Sequence, residues 1–525
     1  MRTWTALAAW LVGVSGWACC AQARGDDAPG RVWVYFTDKG YRTIGEERAA
    51  LARLEREYPR RAIERRRLRR TAPGLLDARD LAVRDGYVRA VEALGARVHV
   101  TSRWLNAVSV EGPEEALAAI RALTFVDRVE AVRGGRREGE PASGARTDAG
   151  GARDLYGLSG DQLRQINVPA LHAQGFTGAG VVIGILDTGF HRVHDAFFEA
   201  SNPLPVVAEW DFINNDSNAG IDPGDPPDQF VHGTLILGAI RAYLPDEMVG
   251  GAYGASVILC KTEDISGETP IEEDNYVAGL EFIELHGGDV ATSSLGYIDW
   301  YTQQDLDGAT AVTTIAVNVA TANGVHCCTA AGNSGNDGDP GSSHLIAPSD
   351  AFEVISCGAV SIEGSITGFS SDGPTADGRV KPELLACGAD TWTIWPYDTT
   401  GYVSASGTSL STPLVAGAVA CLVQARPQWS VATMRTRLFE TASDYAANGQ
   451  ADPLFVRGYG IVDAAGALAA DCLGDFNGDG TANTIDVISF LNVWASGSSA
   501  ADINHDGSVN TIDVIAFLNA WAAGC

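Results

Sequence analysis

Four short stretches of this chain carry residue types that together perform nucleophilic chemistry. VVIGILDTGF closes an apolar run on Asp187, with a turn at Gly189. Val231-His232-Gly233-Thr234 opens the apolar helical run LILGAIRAYL. CTAAGNSG sets Asn333 between two glycines, and SGTSLSTPLVAG sets Ser409 after a glycine turn where a helix starts. A serine hydroxyl is a weak nucleophile at neutral pH and needs an adjacent base. His232 has the chemistry of that base, and Asp187 that of the carboxylate which orients an imidazole and stabilises its cation. The Asn333 amide and the Ser409 backbone N–H are donors for a developing oxyanion. Taken singly, each residue has an ordinary reading: Asp187, His232 or Ser409 as a cap, Asn333 as a left-handed turn. Their order, at strand ends and helix starts, is what points to a site.

The elements that must position them alternate. Between residues 150 and 468 the apolar runs VVIGILD, SVILCKT, HCCTAAGN and VISCGAV read as buried parallel strands, separated by helical stretches such as TPIEEDNYVAGLEFIELHG. This predicts an α/β, doubly wound, mostly parallel sheet with its function at the carboxyl ends of the strands. The segment resembles the subtilisin-like serine protease (subtilase) family, whose chain order is Asp, His, Ser. SSLG at Ser293–Gly296 resembles the family strand that pairs with substrate backbone, which implies substrate binding by Ser294, Leu295 and Gly296. Residues 369–388 resemble the stretch before the nucleophile, with Glu383 where Asp is usual and Cys387 where Pro is usual. Ser409 is followed by Leu-Ser rather than Met-Ala. The resemblance implies a subtilisin-like fold and a serine endopeptidase that hydrolyses protein or peptide substrates through an acyl-enzyme, with catalytic Asp187, His232 and Ser409 and oxyanion residue Asn333. An esterase is the less favoured reading: G-x-S-x-G is absent around Ser409 and the chain order differs. A non-catalytic adhesion or scaffold protein on a protease-like fold is the other alternative, against which the intact residue set speaks.

The 525 residues are 46% hydrophobic and 20% charged, which excludes wholesale disorder. The net charge of -29 is uneven: residues 24–150 carry +5 and residues 151–525 carry -35. The acidic part repels nucleic acid and anionic lipid, and the sign contrast predicts docking of the first part on the second. MRTWTALAAWLVGVSGWACCAQA (1–23) has the pattern of a secretory signal and predicts a secreted or cell-surface location. Residues 24–148 read as a small α+β domain, and the Arg-rich run EERAALARLEREYPRRAIERRRLRR reads as a helix with a solvated face. Family resemblance implies an inhibitory propeptide there, made as part of a self-processed precursor, and residues 134–154 lack periodicity, as a cleavage region would. His191 and His194 read as surface-loop residues and His344 as structural. Past the signal, eight cysteines remain, and Cys472 with Cys525 is the pairing expected, since they bracket the last segment; Cys260, Cys328 and Cys357 read as buried small residues.

That last segment, 472–525, contains a repeat: residues 475–497 match 502–524 at 16 of 23 positions. Oxygen-bearing residues recur at loop positions one, three, five, seven, nine and twelve: Asp475, Asn477, Asp479, Thr481, Asn483, Asp486, then Asp502, Asn504, Asp506, Ser508, Asn510, Asp513. Gly480 and Gly507 take position six, where a sharp turn is needed. Hard oxygen ligands at alternating positions suit Ca2+, with backbone carbonyls serving at Thr481 and Ser508, although position twelve is Asp rather than Glu and no entering helix precedes either loop. No organic cofactor is expected. Each loop leads into one helix, a plan that resembles a type I dockerin and implies a small helical calcium-loop module with a cohesin-like or cell-surface partner. Thr484-Ile485 and Thr511-Ile512 stand where the family carries Ser-Thr.

Overall fold

Apolar runs without alternation can be buried only in a sheet covered on both faces, and that is how these runs are used. The computed structural model describes residues 31–132, 146–147, 154–266, 272–298, 301–470, 472–477, 481–504 and 507–524. The expected signal peptide, most of the expected cleavage region, and Asp479, Gly480, Asp506 and Cys525 lie outside the described residues.

The N-terminal domain has strands β1 (Val32–Phe36), β2 (Arg97–Ser102), β3 (Ala107–Glu111) and β4 (Val126–Ala131), antiparallel in the order β2-β3-β1-β4. Its helices are α1 (Ile44–Glu57), α2 (Arg60–Arg69), α3 (Asp85–Ala93) and α4 (Glu114–Arg121). Pro59 breaks the long Arg-rich stretch into α1 and α2. Two-residue alternation splits β1: Val32, Val34 and Phe36 pack with Val91, Leu117 and Ile120 of α3 and α4, while Trp33 and Tyr35 face the second domain.

A two-residue strand, β5 (Arg146–Thr147), precedes that second domain. The domain then runs through α5 (Gly160–Gln165), α6 (Val168–His172), β6 (Val182–Asp187), β7 (Val206–Asp211), α7 (Val231–Arg241), a hairpin of β8 (Tyr243–Leu244) and β9 (Met248–Val249), β10 (Ser256–Lys261), α8 (Glu272–Leu285), β11 (Val290–Ser293), α9 (Val312–Ala322), β12 (His326–Ala330), β13 (Ile355–Val360), β14 (Leu384–Cys387), β15 (Thr391–Ile394), β16 (Tyr402–Ala405), α10 (Thr408–Ala425), α11 (Val431–Thr441), α12 (Ser443–Asn448), β17 (Gly460–Ile461) and α13 (Ala464–Ala469). Eight strands form one sheet in the order β17-β14-β13-β12-β11-β6-β10-β7, and every pairing in it is parallel. From β6 the chain runs to the edge strand β7, returns through β10 and crosses β6 to β11, so the switch point lies at the carboxyl end of β6, on Asp187. The 18-residue α10 has a mean hydropathy of 1.4 and is 94% buried, as the central helix of the core. Strand β5 extends the β15-β16 pair, with Thr147 opposite Tyr402.

The two domains meet on α8. Trp33, Tyr35, Val100 and Trp104 pack with Tyr276, Val277, Leu280 and Ile283. The Arg-rich helix departs from the solvated face expected of it: Arg65, Arg66 and Arg69 are 2%, 1% and 3% exposed. Arg66 Nε donates to Glu284 Oε1 at 2.8 Å, Arg65 pairs with the same oxygen, Arg103 Nη2 donates to Glu284 Oε2 at 2.9 Å, and Arg69 Nη2 donates to Asp289 Oδ1 at 2.5 Å. Burial alone would raise the Glu284 carboxyl, but Arg65, Arg66 and Arg103 outweigh it and hold the group down at about 2. Asp274, buried against Arg31 and Ser109, is pushed up by burial to about 6, with Arg31 pulling part of the way back. The charge contrast seen in the sequence is thus realised as individual buried pairs.

Among its described residues the C-terminal module has two α-helices, α14 (Thr484–Ala495) and α15 (Thr511–Ala523). Phe490 and Phe517 stack at 4.2 Å in its core. Trp494 donates to Asn510 O and Trp521 donates to Asn483 O, both at 2.9 Å, so each helix pins the other repeat's loop. Arg437 Nη2 lies 3.6 Å from Asp475 Oδ2 and links the module to α11. Cys472 is disulfide-bonded, its expected partner Cys525 being outside the described residues. The other six described cysteines are free and buried.

Candidate active site

Each of the four residues read as chemical arrives on a different element. Asp187 is the last residue of β6, His232 the second of α7, Ser409 the second of α10, and Asn333 lies three residues beyond β12. His232 Nδ1 donates to Asp187 Oδ1 at 2.6 Å; Asp187 is fully buried and His232 is 2% exposed. The same oxygen accepts from Thr188 N at 2.7 Å, which fixes the carboxylate. Helix α7 reaches the strand end this closely because residue 233 is glycine: a Cβ there would meet Gly189 O at 2.3 Å.

Ser409 stands at the N-terminus of α10, where backbone N–H groups have no intrahelical partner and the helix end carries partial positive charge. The preceding Gly407 has φ 153° and ψ 157°, a region open essentially to glycine. A Cβ on it would lie 2.7 Å from Ser409 Oγ and 3.6 Å from Asn333 Nδ2, so hydroxyl and amide border one small space. Asn333 is oriented by Thr408, whose backbone N and Oγ1 donate to Asn333 Oδ1 at 2.9 and 3.0 Å. Thr408 also joins α10 to the β12 segment, since its Oγ1 accepts from Gly332 N at 3.3 Å. The motif SGTSLS contains this threonine, yet its role as an anchor depends on a residue 75 positions away.

Ser294, Leu295 and Gly296 follow β11, whose ladder with β12 ends at Ser293↔Thr329. Leu295 is buried in the core under α8. The Ser294 side chain is turned inward and donates to the Ser409 carbonyl at 2.8 Å, so it fixes the backbone at Ser409. Lys261, at the end of β10 beside Asp187, had no signal in the sequence. Its buried ammonium lies 2.7, 3.2 and 2.8 Å from Asp211, Asp222 and Asp225, and so ties down the loop that leads to α7. His194 is corrected from a loop-surface residue to a buried one, accepting from Ala196 N at 3.1 Å and donating to Gly401 O at 3.0 Å. His191, half-buried, donates to Pro396 O at 2.7 Å, and His344 pairs with Asp372 at 2.6 Å.

In the C-terminal loops, Asp486 and Asp513 are fully buried and turned inward by backbone amides: Asn477 N and Asn483 N on Asp486, Asn504 N and Asn510 N on Asp513. Asn483 and Asn510 cap α14 and α15 by accepting from Ile485 N and Ile512 N at 2.8 Å, and their amides donate to Thr481 O and Ser508 O at 3.0 Å. Asp502 Oδ2 accepts from Gly507 N at 2.8 Å. An all-oxygen donor set with inward carboxylates fits a hard divalent cation.

Comparison with known proteins agrees with this layout. Residues 178–460 match the subtilase family, 31–144 a peptidase S8 propeptide domain of Bacteroidota type, and 473–519 the dockerin type I domain. Subtilisin E of Bacillus subtilis (strain 168) is 31% identical over 313 residues, which span 59% of this chain and 70% of that protein. Subtilisin Savinase of Lederbergia lenta is 29% identical over 308 residues, 58% of this chain and 97% of that protein. Among solved structures, fervidolysin from Fervidobacterium pennivorans, a keratinolytic enzyme related to subtilisin, superposes with a TM-score of 0.56 at 22% identity, covering 85% of this chain and 62% of that one, a likeness of fold alone. The chain belongs to the subtilase family and is a serine-type endopeptidase with a family propeptide domain before it and a dockerin type I domain after it.

Proposed function

We propose that Ser409 is the nucleophile, His232 its general base and then acid, and Asp187 the carboxylate that orients the imidazole. The 2.6 Å contact of His232 with Asp187, at the switch point of the sheet, is the observation that carries this reading. Ser409 Oγ attacks the peptide carbonyl and its proton passes to His232 Nε2. Asp187 stabilises the imidazolium, and Asn333 Nδ2 with Ser409 N–H receives the oxyanion. Collapse expels the amine with the proton held by His232 and leaves an acyl-enzyme. A water deprotonated by His232 then releases the acid. The base step contributes about 10²–10⁴-fold in rate.

In the same reading the enzyme is exported as a precursor, and the N-terminal domain, clamped to α8, acts as its intramolecular inhibitor until cleavage in the region 134–154. Asp475, Asn477, Asp479, Thr481, Asn483 and Asp486 would hold one Ca2+, and Asp502, Asn504, Asp506, Ser508, Asn510 and Asp513 a second. The ion would supply loop rigidity and take no part in hydrolysis. Docking by this module is supported by two matching apolar stripes, Ile485, Ile488 and Leu491 at 56%, 59% and 41% exposure and Ile512, Ile515 and Leu518 at 56%, 60% and 41%. Patches of that kind mark interaction surfaces. The catalytic assignment is tested by fluorophosphonate labelling. The matured enzyme is expected to be modified at Ser409, and Ser409→Ala to lose both labelling and removal of the N-terminal domain; casein hydrolysis unchanged in Ser409→Ala would refute it.

A further inference from the structure

Helix α2 sets three arginines, Arg61, Arg65 and Arg69, in one stripe at four-residue spacing. Each guanidinium enters the second domain where α8 and α9 end. Arg61 Nε donates to Gly287 O at 3.0 Å and its Nη2 to Gly180 O at 2.7 Å. Arg65 donates to the carbonyls of Glu284, Gly288 and Asn323. Arg69 Nε donates to Gly324 O at 3.0 Å and its Nη1 to Pro427 O at 3.3 Å. Carbonyls at a helix C-terminus carry partial negative charge, so two helix ends that meet draw cations. The two oxygens of Asp289 take Arg69 and Arg61, and Glu284 takes Arg65. Together these acceptors form a cup with one socket per arginine. Gly287 and Gly324 end the helices at φ 81° and 82°, and they also make room: a Cβ on Gly287 would lie 2.7 Å from Arg61 Cγ, and one on Gly324 2.6 Å from Arg69 Cβ.

Every one of these acceptors belongs to the second domain and stays with it when the N-terminal domain is cleaved off. The cations do not stay. Among the described residues, the ion pairs of Glu284 are with Arg65, Arg66 and Arg103 and those of Asp289 with Arg61 and Arg69, all from the N-terminal domain. Its departure leaves two carboxylates and a ring of carbonyls without these cations. Val182 N also donates to Asp289 Oδ2 at 3.0 Å, which places the cup at the amino end of β6, about 17 Å along the strand from Asp187. We propose that this cup is an exosite of the processed enzyme: it binds an arginine-rich helical segment of another polypeptide, with a guanidinium at every fourth residue entering one socket each. Guanidinium rather than ammonium is the fitted group, because each socket presents several acceptors to one planar fork of donors. The inference rests on the reading of the N-terminal domain as a part that is cleaved and leaves.

The test uses the processed enzyme, freed of the N-terminal domain below about pH 4 and returned to about pH 7. Its active site is blocked with a fluorophosphonate, so that no probe is held as a substrate, and its mass shows whether the domain is gone. The probe is a fluorescent peptide of residues 58–72, read by anisotropy. It is expected to bind, and its form with Arg61→Lys, Arg65→Lys and Arg69→Lys to bind at least ~10-fold more weakly at equal charge. The form with Arg60→Lys and Arg67→Lys, two exposed positions, is expected to differ by less than ~3-fold. Asp289→Asn enzyme should bind the unaltered peptide ~10-fold more weakly. No binding of the unaltered peptide up to about 1 mM, or equal binding of the two lysine forms, would overturn the inference whether or not the Asp289 variant folds. Enzyme whose mass still includes the domain would instead overturn the cleavage reading, and this inference with it.

Discussion

Glu284 is the point at which the hold of the N-terminal domain is most exposed to a single substitution. Its side chain is fully buried, as are those of Arg66 and, within 1%, Arg65, so water screens none of these charges. Glu284→Gln keeps the shape and removes the charge. Arg66 then still has Asp80, at 2.6 and 2.8 Å, and Arg103 still has Glu281 at 3.7 Å. Arg65 is left with neutral acceptors: the glutamine oxygen and the carbonyls Glu284 O at 3.0 Å, Gly288 O at 2.8 Å and Asn323 O at 3.3 Å. Breaking a buried pair from one side costs about 3–5 kcal/mol, because a bare charge stays behind. Since two of the three arginines keep a carboxylate, the lower end applies, ~3 kcal/mol, or somewhat over 100-fold at ~1.4 kcal/mol per decade. The assay is native-state hydrogen exchange of the α2 amides in the Ser409→Ala precursor, which stays one chain. Opening of α2 should become somewhat over 100-fold more frequent, while amides of β11 and β12 keep their protection. Replacing Glu284, Arg65 and Arg66 together by Leu, Met and Met should restore most of the loss, since apolar groups of similar volume carry no desolvation cost. A change under about 5-fold in Glu284→Gln would show that the arginines dock without needing this carboxylate.

The pH dependence of the same interface follows from its carboxylates. Glu284, at about 2, and Asp289, which burial would raise but Arg69 and Arg61 hold below the usual range, strengthen docking above the ordinary carboxylate value, and this contribution is lost as pH falls through it toward 2. Asp274, raised to about 6, and Glu281, raised by burial against the pull of Arg103, act oppositely and favour the docked form as pH falls below 6. Co-elution of the processed N-terminal domain with the enzyme should therefore persist at pH 5 and fail only below about pH 4; release between pH 7 and 5 would contradict this. Asn333→Ala is expected to lower kcat by about 10²–10³-fold with KM little changed, a magnitude known from subtilisin itself rather than worked from this chain, and an equal rise in KM instead would remove Asn333 from the oxyanion role. Calorimetry of the full chain should register two Ca2+ sites, with Asp486→Ala and Asp513→Ala each deleting one; no heat at millimolar Ca2+ would end the calcium reading.

Much of the site is legible in the sequence because its residues are defined by what they are. Asp187, His232, Asn333 and Ser409 carry their chemistry in their side chains, and apolar runs that cannot alternate end where two of them, Asp187 and Asn333, stand. The parallel sheet is legible for the same reason: VVIGILD has no polar face to offer water. The capping of α14 and α15 by Asn483 and Asn510 is also local, with each asparagine two residues before the N–H it accepts. What stays hidden are residues whose meaning depends on a distant partner. Thr408 reads as part of a serine motif and acts through Asn333. Lys261 reads as the end of a strand and acts through three aspartates, none nearer than 36 positions in sequence.

The Arg-rich helix shows why composition misleads in such cases. A run of arginines with few apolar residues has no face to bury by the hydrophobic effect, so a solvated helix is the sound inference from sequence. Burial becomes favourable only when carboxylates of matched geometry stand on the other side, and α8 supplies them: Glu281 and Glu284 lie three residues apart, with Asp289 just beyond the helix end. The net charges of the two segments state that attraction exists, but they do not state where.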